Sequence, residues 1–286
     1  MGYYQQFTIK TVSAYNVNMK NQGFSYLKRV VRVVAISYLG IVFLLYFFQE
    51  RFIFFPKVLS ADYKFQFAGD FQEKILTVGD TQVHSLLFKV PAPNGMILYF
   101  HGNAGAMDSW GEVALELSQK SGYNVWMVDY PGFGKSTGSV RSQQQLLDVA
   151  QAFVNEARRE GPEQRLFIYG RSVGSGIAVK TAAENKVDGL ILETPYTSLF
   201  EMAKLRFSWF PQILLKYSMP SSQWIQNVNA PILIVHGDAD QVIPAEMGYK
   251  LSQASNRSTY VLIPGGNHNN LSEYGAYWDA VLSILK

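Results

Sequence analysis

Six short apolar runs, alternating with longer stretches of helical periodicity, constrain this chain more than any other feature. They are MILYF at 96–100, NVWMV at 124–128, RLFIY at 165–169, VDGLIL at 187–192, PILIVH at 231–236 and TYVLI at 259–263. Amphipathic stretches lie near 108–120, 142–159, 173–184, 245–254 and 274–285. A strand that is apolar along its whole length must be buried on both faces, and helices between successive strands supply the cover. The pattern therefore predicts an α/β domain with a mostly parallel sheet and helices on both faces. An opening strand pair is expected at 75–78 and 83–90. In such sheets reactive side chains gather in the loops at the carboxyl ends of the strands, so chemistry should follow each apolar run.

At 286 residues there is room for one such domain plus an N-terminal extension. Apolar residues make up 48% and charged residues 16%, the balance of a chain with a large core. A net charge of +3, scattered along the chain, does not suggest a nucleic-acid partner. The absence of cysteine removes disulfides, thiolate zinc sites, iron–sulfur clusters and cysteine nucleophiles together. Histidine chemistry has only His84, His101, His236 and His268 to draw on.

The extension carries its own signal. Residues 33–48, VVAISYLGIVFLLYFF, contain no charge, and Val30, Val31 and the aromatic run ending at Phe55 lengthen the apolar band. About 20 apolar residues suffice to span hydrocarbon. The region before the run is too long for a cleaved leader, and no Ala-x-Ala-like site follows it. We read a retained signal anchor at 30–55, a loose tail at 1–29, a juxtamembrane segment at 56–74 and the globular domain at 75–286. Lys20, Lys28, Arg29 and Arg32 precede the span, whereas Arg51, Lys57 and Lys64 follow it. That bias favours a cytoplasmic N-terminus, making this a single-pass membrane protein with an extracytoplasmic domain, periplasmic or luminal.

Two segments match Gly-x-Ser-x-Gly: Gly134 to Gly138 around Ser136, and Gly170 to Gly174 around Ser172. A nucleophile elbow needs a strand running in and a helix running out. Ser172 has RLFIY before it and VGSGIAVKTAAE after it, while Ser136 has loop on both sides. Ser172 is the expected nucleophile. A serine hydroxyl needs a base to take its proton during attack. His84 lies in a strand, and His101 and His236 each directly end one, positions suited to bracing loops. His268, in the glycine-rich loop PGGNHNN after the last run, is the expected base. For the acid that orients the imidazole, Asp240 follows PILIVHG and reaches furthest on its turn, Asp238 reads as a turn brace, and Glu193 remains the alternative.

From about residue 75 to the end, the chain resembles the α/β-hydrolase superfamily. The resemblance rests on His101-Gly102-Asn103, on DYPGFGKSTG at 129–138, on the elbow at Ser172, on HGDADQVIP at 236–244 and on the His268 loop. An anchor followed by ERFIFFP at 50–56, together with ETPYTS at 193–198, is similar to the membrane-anchored, short-cap branch of lipid esterases, lysophospholipases and acyl-protein thioesterases. The thioesterase subgroup has a cysteine-rich N-terminus that this chain lacks. The resemblance implies an α/β-hydrolase fold with a short cap at about 196–229, a Ser172–Asp240–His268 triad, and an oxyanion hole from the Asn103 and Val173 N–H groups. It also implies hydrolysis of carboxylic esters or thioesters with an apolar acyl part, with a small-molecule or lipid substrate and no cofactor or metal. The cap aromatics Trp209 and Phe210 are expected to touch substrate. An amidase or peptidase with the same triad, and an idle scaffold on the same fold, are the alternatives.

Overall fold

A computed structural model describes residues 3–161 and 164–286. They form two compact units, Met1–Gln49 and Glu50–Lys286.

The first unit is helix α1 (Tyr3–Phe47). Its segment Phe24–Phe47, in which the most apolar 18 residues have a mean hydropathy of 2.2, is long and apolar enough to cross a membrane. The expected loose tail is instead helical from Tyr3 onward, residues 1 and 2 lying outside the described residues. The chain has no proline before Pro56, so a helix nucleated in the apolar segment can propagate backward at one hydrogen bond per residue fixed. The apolar helix also ends at Phe47, short of the expected Phe55.

Helix α2 (Gln49–Ile53) begins at the last residue of the first unit, and the second unit continues with the two-residue strand β1 (Phe55–Pro56). Strands β2 (Asp70–Val78) and β3 (Thr81–Lys89) form the opening hairpin, and β4 (Met96–Phe100) starts the parallel sheet. Next come β5 (Ala104–Gly105), α3 (Met107–Ser121), β6 (Asn124–Val128) and α4 (Gln143–Glu160). Then follow β7 (Leu166–Arg171), α5 (Val173–Glu184) and β8 (Gly189–Glu193). The cap holds α6 (Leu199–Arg206) and α7 (Ser221–Trp224). The chain closes with β9 (Ile232–Gly237), α8 (Ala245–Gln253), β10 (Ser258–Ile263) and α9 (Gly275–Leu285). Eight strands make one sheet in the order β10-β9-β8-β7-β4-β6-β3-β2. Among the described residues, β2–β3 and β3–β6 pair antiparallel and the other neighbours in this sheet pair parallel.

Burial explains why the strand runs read as continuously apolar. Along β4, Met96, Leu98 and Phe100 enter one core with Ile177 of α5 and Phe153 of α4. Ile97 and Tyr99 enter the other, with Leu117 of α3 and Val281 of α9. Successive strand side chains point to opposite faces, so a sheet covered twice needs both parities apolar.

Residues 56–74, expected as a lead into the domain, contribute Leu59 and Phe65 to its core, and Phe54 just ahead of them is buried as well. Replacing a buried Phe by Ala typically costs about 3–5 kcal/mol. A chain starting at Glu50 should therefore melt in one cooperative thermal transition, whereas a chain starting at residue 75 should aggregate or melt without one. Equal melting of the two would place the domain boundary at 75.

Candidate active site

The loops at the carboxyl ends of β4, β7, β9 and β10 converge on Ser172. This residue joins β7 to α5 with φ 53° and ψ −123°, a conformation that costs a non-glycine residue of order 1–3 kcal/mol. Two glycines permit the turn. A Cβ on Gly174 would run into the Phe100 carbonyl of β4, and one on Gly170 would meet Ala178 and the Gly174 carbonyl of α5.

His268 Nε2 lies 3.0 Å from Ser172 Oγ, and His268 Nδ1 lies 2.7 Å from Asp240 Oδ2. A carboxylate can only accept, so Nδ1 carries the proton and Nε2 is left to accept from the serine hydroxyl. Asp240 Oδ1 accepts the N–H groups of Val242 at 2.8 Å and Ile243 at 2.9 Å. His236 Nε2 stands 3.2 Å from Asp240 Oδ2 and 2.9 Å from the Ile243 carbonyl, two acceptors that fix its proton on that nitrogen. Burial pushes the Asp240 carboxyl pKa up. Hydrogen bonds from His236 and His268, the attraction of His268 and the Ile243 N–H outweigh that and hold it well below the usual carboxylate range. Asp240 is thus a fixed negative charge facing an imidazole.

The other candidates have different occupations. Glu193 accepts from Tyr169 Oη at 2.6 Å and Tyr277 Oη at 3.2 Å and pairs with Arg171 Nε at 3.2 Å. Ser136 Oγ is buried, donating to the Asp129 carbonyl at 2.9 Å and accepting from the His84 N–H at 2.8 Å. Asp238 takes the Gly265 N–H at 2.7 Å, bracing the turn that carries His268. His101 is wholly buried, its Nδ1 2.7 Å from the Gly102 carbonyl. His84 is buried, and desolvation lowers its pKa against the opposing pull of Glu73.

Val173 is the first residue of α5, directly after Ser172. Asn103 follows Gly102, whose Cα would carry a Cβ only 3.7 Å from Ser172 Cβ. Both therefore border the serine. Trp209 and Phe210 lie on the cap, outside this chain of hydrogen bonds. The cap's first half turns apolar side chains outward: Leu205, Phe207 and Trp209 are exposed, and Ile213 is 93% exposed. Its second half packs inward through Tyr217, Met219 and Ile225. Among the described residues, no group of three His, Asp or Glu side chains is arranged to hold a metal.

One contributor escaped the sequence reading. Arg171, the residue before the serine, donates from Nη2 to the His268 carbonyl at 2.9 Å and to Asn269 Oδ1 at 3.1 Å. Its guanidinium also lies 5.0 Å from the Trp110 ring centroid. Burial works against its charge, yet Glu193 together with Tyr99, Tyr169 and Tyr277 outweighs it and raises its pKa. The signal was a cation at the end of an otherwise apolar strand, where only a buried partner could hold it.

An elbow serine, a histidine after the last strand and an acid after the strand before it, on this sheet order, define the α/β-hydrolase class. The family model for the α/β-hydrolase fold matches residues 208–273, and one described as serine aminopeptidase, S33, matches residues 91–226. The chain is 30% identical over 254 residues to the uncharacterized protein Rv2307c of Mycobacterium tuberculosis, covering 84% of this chain and 88% of the relative. It is also 30% identical over 201 residues to α/β hydrolase domain-containing protein 17B of Xenopus laevis, covering 68% of this chain and 67% of that one. Among solved structures, the esterase Pf2001 of Pyrococcus furiosus superposes with a TM-score of 0.65 at 15% identity, over 81% of this chain and 98% of the esterase. The chain belongs to the α/β-hydrolase family.

The Arg171–Glu193 pair yields a stability test. Removing one partner of a buried pair leaves an uncompensated charge, at a cost of about 3–5 kcal/mol. Urea denaturation of Glu193→Gln should register that loss, and the double variant Arg171→Met/Glu193→Gln should recover a large part of it. Additive losses would mean that the two groups are not coupled.

Proposed function

We propose that this protein is a membrane-anchored serine hydrolase that cleaves carboxylic esters or thioesters with an apolar acyl group. The observation that carries the reading is the chain Ser172–His268–Asp240, with contacts of 3.0 and 2.7 Å, hung on a strained elbow. Ser172 Oγ attacks the carbonyl carbon as its proton passes to His268 Nε2. Asp240, held ionised, stabilises the resulting imidazolium and keeps its tautomer. The developing oxyanion is received by the N–H groups of Asn103 and Val173, and loss of one such donor costs ~10²–10³ in turnover. His268 returns its proton to the leaving oxygen or sulfur. A water, deprotonated by the same histidine, then releases the acid and regenerates Ser172.

An apolar acyl group suits the cap, where Leu205, Phe207, Trp209 and Ile213 are exposed. Exposed apolar clusters mark surfaces that meet a lipid or another apolar partner. The helix segment Phe24–Phe47 is read as the retained anchor, with a cytoplasmic N-terminus and the catalytic unit outside the cytoplasm. The esterase on the same fold is consistent with ester chemistry. The serine aminopeptidase model over residues 91–226 favours a second reading, an amidase or peptidase with the same three residues. Paired p-nitrophenyl ester and p-nitroanilide substrates of one acyl group separate the two.

Fluorophosphonate labelling should disappear in Ser172→Ala and persist in Ser136→Ala; the opposite pattern would reassign the nucleophile. Asp240→Asn should lower kcat by about 10⁴-fold with little change in KM, because the amide can neither stabilise the imidazolium nor enforce its tautomer. A loss below tenfold would displace Asp240 from that role.

On a p-nitrophenyl ester series of rising chain length, Trp209→Ser and Phe210→Ser should penalise long acyl chains over short ones by ~1–3 kcal/mol per side chain. An equal loss at every length would mean that both residues only pack the cap.

A further inference from the structure

The loop that carries Asn103 has to be rigid before charge develops, because donors that reorganise during the reaction stabilise it less. Its carbonyls reveal what holds it. Gly102 O lies 2.7 Å from His101 Nδ1, Asn103 O accepts from the Phe55 N–H at 2.8 Å, and Gly105 O accepts from the Lys57 N–H at 3.0 Å. The Asn103 side chain itself is spent: Nδ2 donates to the Ile53 carbonyl at 2.7 Å. Three of these four bonds come from residues 53–57, which pair in parallel with the loop as Phe55 with Ala104 and Pro56 with Gly105.

That segment is itself clamped from the other side. Lys57 O accepts the Gly134 N–H at 2.8 Å and Leu59 N–H donates to Gly134 O at 2.9 Å. The Lys57 ammonium also pairs with Asp108, but it is exposed to solvent, and a pair of that kind adds little to the clamp. Phe54 packs edge-on against Tyr217 at 5.4 Å and Phe133 at 6.4 Å in one core, and Leu59 is buried in the other. Upstream, Glu50 takes hydrogen bonds from Tyr217 Oη at 3.1 Å and Lys216 Nζ at 3.2 Å. The segment therefore has fixed ends and a fixed middle.

We infer that residues 53–59 are a positioning strap for the oxyanion loop, so that the chain leaving the apolar helix sets the orientation of the Asn103 N–H. The peptide plane preceding Asn103 is held by His101, and the plane following it by Phe55. With both planes fixed, the two dihedrals of Asn103 are fixed as well, and in a trans peptide its N–H points opposite to the Gly102 carbonyl. The side-chain bond to Ile53 adds a third restraint on the same residue. This inference rests on the hydrolase reading above. Asn103 enters it twice, through a backbone donor aimed at substrate and a side chain that holds the donor still.

The test uses the full-length protein in detergent or membranes. Lys57→Pro removes the N–H that holds Gly105, and Asn103→Leu removes the side-chain donor while keeping the backbone N–H and nearly the same volume. Lys57→Ala is the control, since it deletes the ion pair to Asp108 and keeps the backbone donor. The readouts are kcat and KM on p-nitrophenyl acetate, thermal melting, and inhibition by a short-chain trifluoromethyl ketone. Addition of Ser172 Oγ to that ketone moves the hydroxyl proton to His268 and leaves an oxyanion where the loop would receive it.

Lys57→Pro and Asn103→Leu should each lower kcat at least tenfold with KM within twofold, and weaken the ketone at least tenfold. Lys57→Ala should keep wild-type kcat and ketone affinity. If Lys57→Pro does not fold, Asn103→Leu and its ketone affinity decide alone. Turnover and ketone affinity within twofold of wild type in the folded variants overturn the strap while leaving the hydrolase reading intact. So does a rise in KM that accounts for the whole loss. A wild-type protein that neither turns over the ester nor binds the ketone overturns the hydrolase reading, and the strap with it.

Discussion

The close approach of β7, α5 and β4 around Ser172 is the constraint from which the rest of the site follows. With glycine at 170 and 174 the strand can turn into the helix within one residue, leaving Ser172 at φ 53°. That conformation lifts the hydroxyl above the carboxyl edge of the sheet, where the loops after β9 and β10 deliver Asp240 and His268. The elbow's strain is offset by a sheet buried on both faces, in which Tyr169 and Gly170 pair with Ile191 and Leu192 on one side and Tyr99 and Phe100 on the other. A rigid scaffold can hold a strained residue because its neighbours have nowhere to move.

Charge placement divides the site into two separate networks. Asp240 is ionised by donors from His236, His268 and two backbone N–H groups, so its charge is directed at the imidazole. Glu193, on the neighbouring strand, is directed instead at Arg171, Tyr169 and Tyr277. The guanidinium then reaches the carbonyl of His268 itself. One carboxylate orients the ring and the other, acting through Arg171, fixes the backbone that carries the ring. These are different tasks, and they explain how two buried acids can coexist near a single histidine.

Much of this arrangement was legible in the sequence because it is local. The runs at 96–100 and 124–128 coincide with β4 and β6, since burial on both faces writes itself directly into composition. Ser172 could be separated from Ser136 by its strand and helix flanks, and Ser136 indeed lies in a loop, its hydroxyl engaged by Asp129 and His84. Asp240 and Glu193 could not be separated with the same force, because each follows a strand and only the third dimension shows which one meets His268. The role of residues 53–59 was invisible for a related reason: ERFIFFP reads as the tail of an apolar segment, and its pairing with residues 103–105 is long-range. The helicity of the first part of α1 was missed because its polar composition hid an uninterrupted, proline-free path into the apolar segment.

If Ser172 is the nucleophile it becomes acylated during turnover, and that intermediate can be trapped. The full-length protein is mixed with excess p-nitrophenyl butyrate, quenched in acid within milliseconds to seconds, digested and analysed by mass spectrometry. A Ser172 nucleophile should give a burst of p-nitrophenol approaching one equivalent and a butyryl group on the peptide that contains Ser172, both lost in Ser172→Ala. Turnover without any butyrylated peptide under burst conditions, or a butyryl group on the peptide that contains Ser136, would contradict it.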